Sequence, residues 1–221
     1  MKKLKLVIFD VDGTLIKTYS SWQHLHEHLG TWNRGRRHAE QFQRGNITYT
    51  EWAQLDSSLW KDIPLQLAQQ SINRIPYVDG TREVIPTLRK AGLKVVLLSA
   101  GLSLVINRIS KEIHVDDSLA NELIVKNNFL TGHVKVNVSF NNKHKAIQPI
   151  LQKFDAKLSQ CAAVGDDETM IPIFKKVGLR IAFNPRNKLV EEHADVVIKS
   201  NDLREVLPHL LKQGQTEQSS G

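Results

Sequence analysis

One cysteine, Cys161, stands in the 221 residues. An internal disulfide is therefore impossible, and so is a cysteine-rich metal site. Cys161 lies in an apolar strand pattern, which suits a buried, inert thiol rather than a nucleophile. No apolar run reaches the roughly 18 residues that a membrane-spanning helix needs. The apolar stretch after Met1-Lys2-Lys3 is short and carries Asp10 and Asp12, so it does not read as a signal-peptide core. A cytoplasmic protein is the expectation. Aromatic residues are only 6% of the chain and no nucleic-acid motif is present, so no nucleic-acid partner is expected. No internal repeat exists. Acidic residues fall short of basic ones, which leaves a net charge of +7. That excess is dispersed and favours small anionic partners through the long-range field. Its one tight group, Arg34, Arg36 and Arg37 with His38, reads as a solvated helix face.

What is present begins at residue 6. Leu6-Val7-Ile8-Phe9 is an apolar run that ends in Asp10-Val11-Asp12-Gly13-Thr14. Such a run reads as a strand buried on both faces. In an open parallel sheet, ligands bind at the carboxyl ends of the strands. Two carboxylates this close are costly to ionise unless a positive group shares the site, and a divalent metal is the simplest one. Asp and Gly also serve as plain turn residues. A calcium loop of the EF-hand type fails on spacing, because Leu15 and Ser21 stand where Gly and Glu are required.

Residues 17–75 show no strand-like run. Leu25, Leu29 and Trp32 recur at helical spacing, as do Trp52, Leu55, Leu59 and Ile63, with breaks at Gly30 and Gly45-Asn46. A helical insert is predicted there. From Gly80 the pattern alternates helix and strand. The expected order is helix 81–90, strand 93–98, helix 104–111, a hairpin over 119–138 turning at Asn127-Asn128, and helix 143–154. Then follow strand 162–164, helix 170–177, strand 180–183, strand 196–198 and helix 203–211. This alternation predicts an α/β fold, a doubly wound, Rossmann-like parallel sheet with a small helical segment inserted after the first strand. The predicted organisation is a core of residues 1–16 and 80–211, an insert of 17–79, and a polar, disordered tail of 212–221.

Three predicted strands end in polar groups: Asp10 with Asp12, Ser99, and Asp166 with Asp167. With Lys143 at a helix start, the inventory holds a carboxylate nucleophile, a second carboxylate for proton transfer, a hydroxyl and a cation. Acids remain for a metal. That set suits phosphoryl transfer.

In these four motifs, taken in order over about residues 4–210, the chain resembles the haloacid dehalogenase (HAD) superfamily, in its phosphoserine phosphatase-like branch. The resemblance implies a phosphatase that works through an aspartyl-phosphate on Asp10. It implies that Asp12 is the proton donor and then the base, and that Ser99 binds the phosphoryl oxygens. Ala100 and Gly101 would add backbone N–H donors at a helix start, and Lys143 would offset charge. It also implies Mg2+ held by Asp10, Asp12 (through its backbone carbonyl) and Asp166, with Asp167 a further acid. Asp167 equally suits the start of the next helix. Lys145 competes with Lys143, but Ala146, Ile147 and Ile150 give the family's apolar spacing only from Lys143. Thr169 and Met170 stand where phosphoserine phosphatases carry Asn and Asp.

The resemblance makes the insert a cap that reads the leaving group. Phosphoserine phosphatases place a glutamate nine residues after the nucleophile and an arginine seven after a cap aromatic. This chain has Tyr19 and, seven after Tyr49, Asp56. A small phosphorylated metabolite other than phosphoserine is therefore expected. Phosphoserine itself, and a phosphotransferase using the same intermediate, are the alternatives. Trp22, His24, His26, His28, Tyr49 and the arginine group are the candidates for specificity. Both a monomer and a homodimer are compatible with the sequence.

Overall fold

The computed structural model describes residues 3–212. The expected tail lies outside the described residues except for Lys212. Strand β1 (Leu6–Phe9) leads into four helices: α1 (Ser21–His28), α2 (Trp32–Gln43), α3 (Tyr49–Ser58) and α4 (Leu65–Asn73). Local signals set their ends. The Ser20 hydroxyl accepts the Gln23 N–H at the head of α1, and Thr48 with Glu51 forms a reciprocal capping box at the head of α3. Helix α5 (Thr81–Lys90) then precedes strand β2 (Lys94–Leu102) and helix α6 (Ser103–Glu112). Strands β3 (Asp117–Lys126) and β4 (Phe129–Lys135) form the hairpin. Asn127 and Asn128 both have positive φ, as a two-residue turn of this kind demands.

The remaining elements are α7 (Lys143–Ala146), α8 (Gln148–Lys153), β5 (Cys161–Gly165), α9 (Ile171–Phe174), β6 (Leu179–Phe183), α10 (Lys188–Glu192), β7 (Val196–Ile198) and α11 (Leu207–Leu211). Three expected helices are shorter or split. Residues 143–154 form two turns meeting at Ile147, 170–177 reduces to a 3-10 turn plus α9, and 203–211 divides into a 3-10 turn and α11. Each second piece carries a proline as its second residue: Pro149, Pro172 or Pro208. Proline lacks the N–H needed inside a helix but is tolerated in its first turn. Pro86 is accommodated within α5.

The seven described strands run in the order β4-β3-β2-β1-β5-β6-β7, parallel except for the β3–β4 hairpin. Strand β1 lies centrally, with Phe9 opposite Leu97 on one side and Val164 on the other. Alternate residues feed two cores. Val7, Phe9, Val95 and Leu97 pack on α5 and α6, while Leu6, Ile8, Val96 and Leu98 pack on α8 and α9. Burial on both faces explains the unbroken apolar run of β1. Cys161 is fully buried in the second core, which pushes its thiol up to about 12.

A third cluster joins Trp22, Leu25, Tyr49, Ala53 and Trp60 of the insert to Leu102, Leu123 and Leu130. The helical segment thus sits on the hairpin and above the carboxyl ends of β1 and β2. Backbone bonds fix it there: Asp62 and Leu65 donate to Leu130 and Asn128, and Leu130 donates to Ile63. Ile72 and Ile75 return to the sheet's own core before the segment ends. Leu55, expected on the packed face of α3, points outward. No helix among the described residues is long and apolar enough to cross a membrane.

Candidate active site

The central position of β1 puts Asp10 between the ends of β2 and β5, and so between Ser99 and Asp166. The Asp10 N–H donates to Val164 O at 2.9 Å, which extends the ladder by one residue and aims its carboxylate out of the strand end. The Val11 N–H donates to Asp10 Oδ1 at 2.8 Å, and Lys143 Nζ lies 2.7 Å from Oδ2. Both partners are buried. Lys145, by contrast, is exposed to solvent. A lysine with no solvent access is sustained only by such a counter-ion. Burial raises the Asp10 carboxyl, and the Lys143 ammonium opposes that rise.

Asp12 follows two residues later. Its Oδ2 accepts the Ser21 N–H at 2.6 Å at the head of α1, and its Oδ1 is buried without a partner. Burial pushes the Asp12 carboxyl from 3.8 up to about 6, against the pull of Ser21. Gly13 adopts φ +81°, and a Cβ there would lie 2.1 Å from Asp166 Oδ2. Only glycine lets this turn pass so close to the acid.

Asp166 is fully buried at the end of β5. Thr14 Oγ1 donates to its Oδ1 at 3.2 Å and Arg186 Nε to its Oδ2 at 2.7 Å. Burial and then the charge of Asp10 push Asp166 up to about 7, with Arg186 opposing. Asp167 Oδ1 accepts both the N–H (2.9 Å) and the hydroxyl (2.6 Å) of Thr169, which makes it the cap of the following 3-10 turn. Carboxylate oxygens of Asp10, Asp166 and Asp167 nevertheless all lie within 4.8 Å of one another. Three acids on one side, two of them buried with raised pKa values, make a site that a divalent cation would relieve.

Ser99 is 2% exposed, and its Oγ accepts the Gly101 N–H at 2.9 Å, which leaves its own proton free. Here the structure corrects one expectation. Ala100 and Gly101 are not at a helix start, because β2 continues to Leu102 and α6 begins at Ser103. The Gly101 N–H is spent on Ser99. The Ala100 carbonyl instead accepts from three side chains: Tyr49 OH (2.5 Å), Asn121 Nδ2 (2.7 Å) and Trp22 Nε1 (3.2 Å).

These groups form the floor of a cavity of about 330 Å3, and the helical segment forms its roof. Trp22, His26, Tyr49 and Asp56 line the roof. His24 and His28 do not, because alternate residues of a helix point about 200° apart; His24 bonds Ser71 O and His28 is exposed. Arg34, Arg36 and Arg37 are exposed as well. Sequence reasoning missed Arg186, which also donates to Tyr19 O (2.8 Å) and lies 4.7 Å above the Tyr19 ring. It follows Pro185 in the loop after β6, and no local pattern marks it. Thr169 and Met170 were seen only as departures; Met170 Sδ lies 3.3 Å from Lys143 Nζ.

Comparison with known proteins agrees with this geometry. The family described as haloacid dehalogenase-like hydrolase matches residues 7–172. The phosphoserine phosphatase of Methanocaldococcus jannaschii is 32% identical over 210 residues, which cover 95% of this chain and 99% of that protein. The phosphoserine phosphatase of Wolinella succinogenes is 27% identical over 94% of this chain and all of its own length. A solved phospho-aspartyl intermediate analogue of phosphoserine phosphatase superposes with a TM-score of 0.80 at 31% identity, over 95% of this chain and 100% of that one. A substrate-bound phosphoserine phosphatase complex gives 0.81 at 31% identity over the same shares. With three quarters of its length under one family and relatives matched end to end, the chain belongs to the haloacid dehalogenase-like hydrolases and is a phosphatase of the phosphoserine phosphatase-like branch.

Proposed function

We propose that the protein is a Mg2+-dependent phosphomonoesterase that hydrolyses a small phosphorylated metabolite through an aspartyl-phosphate on Asp10. The observation that carries the reading is the buried Asp10–Lys143 pair, 2.7 Å apart, at the floor of the cavity beside two further acids. Asp10 attacks phosphorus. The bond to the ester oxygen breaks as Asp12 gives that oxygen its proton. A carboxyl pushed up to about 6 holds a proton more readily than an ordinary aspartate, which suits the donor's task. Water then attacks phosphorus, returns a proton to Asp12 and frees Asp10 and inorganic phosphate. Lys143 and the free Ser99 proton meet the negative phosphoryl oxygens.

Asp10, Asp166 and Asp167 fit a hard divalent ion, and the family resemblance adds the backbone carbonyl of Asp12. Bound there, the ion supplies charge neutralisation for the phosphoryl group. Residues 17–79 act as the cap and residues 1–16 and 80–211 as the catalytic core. The lone buried cysteine supports a cytoplasmic setting.

Phosphate release from a panel of monoesters, with and without Mg2+, on wild type and Asp10→Asn, tests this reading. Metal-dependent release that vanishes in Asp10→Asn is the expected result. No release from any ester by the folded protein would overturn it. The names of the relatives favour phosphoserine as a second reading of the substrate, and the same panel decides it.

A further inference from the structure

The two ends of the cavity differ in where their cations stand, although both carry carboxylates. Lys143 and Arg186, its only Lys or Arg, both stand at the floor. Arg186 is committed there to Asp166, Tyr19 O and the Tyr19 ring, and is not free to hold a second anion. The roof offers one formal charge, the carboxylate of Asp56, which is 2% exposed. His38 Nδ1 lies 2.7 Å from its Oδ1 and His26 Nε2 lies 3.1 Å from its Oδ2.

Thr31 Oγ1 accepts the Trp60 indole N–H at 3.1 Å, faces His26 Nδ1 at 2.8 Å and donates to His26 O at 3.5 Å. His26 Nε2, though close to Asp56 Oδ2, makes no hydrogen bond there. No Lys or Arg among the residues lining the cavity stands beside Asp56. Gly35 is shaped to this cluster, since a Cβ there would lie 2.7 Å from His26 Nε2.

Much of the rest of the roof is aromatic, with Gln23 and Gln43 beside the rings. Trp22, Tyr49, Trp52 and Phe140 border the cavity, and Tyr49 and Trp52 meet edge to face at 5.6 Å. The polar ends of Trp22 and Tyr49 are spent on Ala100 O. Trp52 Nε1 is the one buried donor of these rings without a partner, a single point for an ester or hydroxyl oxygen. Aromatic faces around a negative charge favour a cation, with quaternary ammonium the best-suited case. A carboxylate brought into this roof meets Asp56 with no cation to offset it, at a site too buried for screening by salt.

We propose that the leaving group is a small amino alcohol that carries a cationic nitrogen and no carboxylate, so that the substrate is a zwitterionic phosphate ester. Its phosphate lies against Lys143 and Ser99 on the floor and its ammonium end under Asp56 and the aromatic rings. This rests on the phosphomonoesterase reading above.

Four esters separate the classes: O-phosphoethanolamine, phosphocholine, O-phospho-L-serine and glycerol 3-phosphate, assayed with Mg2+ beside p-nitrophenyl phosphate. O-Phospho-L-serine differs from O-phosphoethanolamine by one carboxylate alone. The expected result is a kcat/KM at least about 10-fold higher for an ammonium ester than for the serine and glycerol esters. Choline or ethanolamine should also compete with p-nitrophenyl phosphate at lower concentration than serine or glycerol. Asp56→Asn should collapse the ratio of ammonium to glycerol ester toward one. If that variant does not fold, the wild-type ranking and the competition series decide. Preference for O-phospho-L-serine or for glycerol 3-phosphate overturns the proposal while leaving the phosphatase reading intact. No release even from p-nitrophenyl phosphate removes the phosphatase reading, and this proposal with it.

Discussion

The floor and the roof of the cavity are held by different means. Asp10 and Asp166 directly follow β1 and β5, and Ser99 lies within β2, adjacent strands whose ladder fixes them to one another. The roof residues Trp22, His26, Tyr49 and Asp56 come from α1 and α3, held by side-chain packing and by the His26–Asp56–His38 contacts. A floor built this way resists change, because moving one group means breaking a sheet. A roof built this way is free to vary with the substrate, because each side chain can change without disturbing a backbone ladder. On the function proposed above, catalysis and selectivity are thereby separable in the molecule.

The largest expected effect lies on the floor. Asp10→Asn should lower kcat by at least about 1,000-fold, as removal of a nucleophile does elsewhere. It should also abolish trapping of phosphate on the protein after acid quench. A modest loss would show that the floor does not supply the nucleophile and would erase the contrast.

Next comes Lys143→Met. It leaves Asp10 buried without its counter-ion, so stability in urea should fall by about 3–5 kcal/mol. Adding Asp10→Asn to Lys143→Met should recover much of that loss, because the uncompensated charge is gone. A double variant no more stable than Lys143→Met would mean the lysine acts through packing. On the roof, Gly35→Ala drives a methyl into the His26 ring and should cost about 1–3 kcal/mol, read by the same melts. The comparison predicts that it alters selectivity among esters more than turnover of the best one.

A smaller effect is in pH. Asp12 and Asp166 are raised from 3.8 to about 6 and about 7. Between pH 4 and those values the folded, metal-free protein holds protons that the unfolded chain has lost. Their contribution to stability is therefore greatest near pH 4, falls as pH rises through 6 and 7, and levels off above. Mg2+ should raise the melting temperature more at pH 7.5 than at pH 5, since protons and metal compete for the same oxygens. An equal rise at both would place the ion elsewhere. The smallest effect is that of Arg186→Ala. Removing a guanidinium 2.7 Å from Asp166 Oδ2 should tighten Mg2+ binding by a few-fold, measured by calorimetric titration.

The same contrast explains what could be read from the chain alone. The floor is legible because strands buried on both faces read as unbroken apolar runs that end abruptly in polar groups. Asp10, Asp12, Ser99 and Asp166 all follow apolar runs, and Lys143 is marked by the apolar spacing after it. The roof is not legible in this way. His26, His38 and Asp56 meet across three helical segments, and nothing local announces that Asp56 faces inward between two imidazoles. Arg186 is hidden for a similar reason, because it reaches the site from a loop after β6 with no strand-end acid beside it. Helix lengths failed where prolines intervened. Periodicity runs on through Pro149, Pro172 and Pro208, while the hydrogen-bond ladder does not. Nothing in the sequence marks the Ala100 carbonyl as the acceptor of three side-chain donors.

That carbonyl has a consequence for ligand exchange. It accepts from Trp22 and Tyr49 of the cap and from Asn121 of the hairpin, one residue beyond Ser99. On the cap reading proposed above, lifting residues 17–79 to exchange ligands means trading at least the first two donors for water, so that opening of the cavity and hydration of this one peptide group go together.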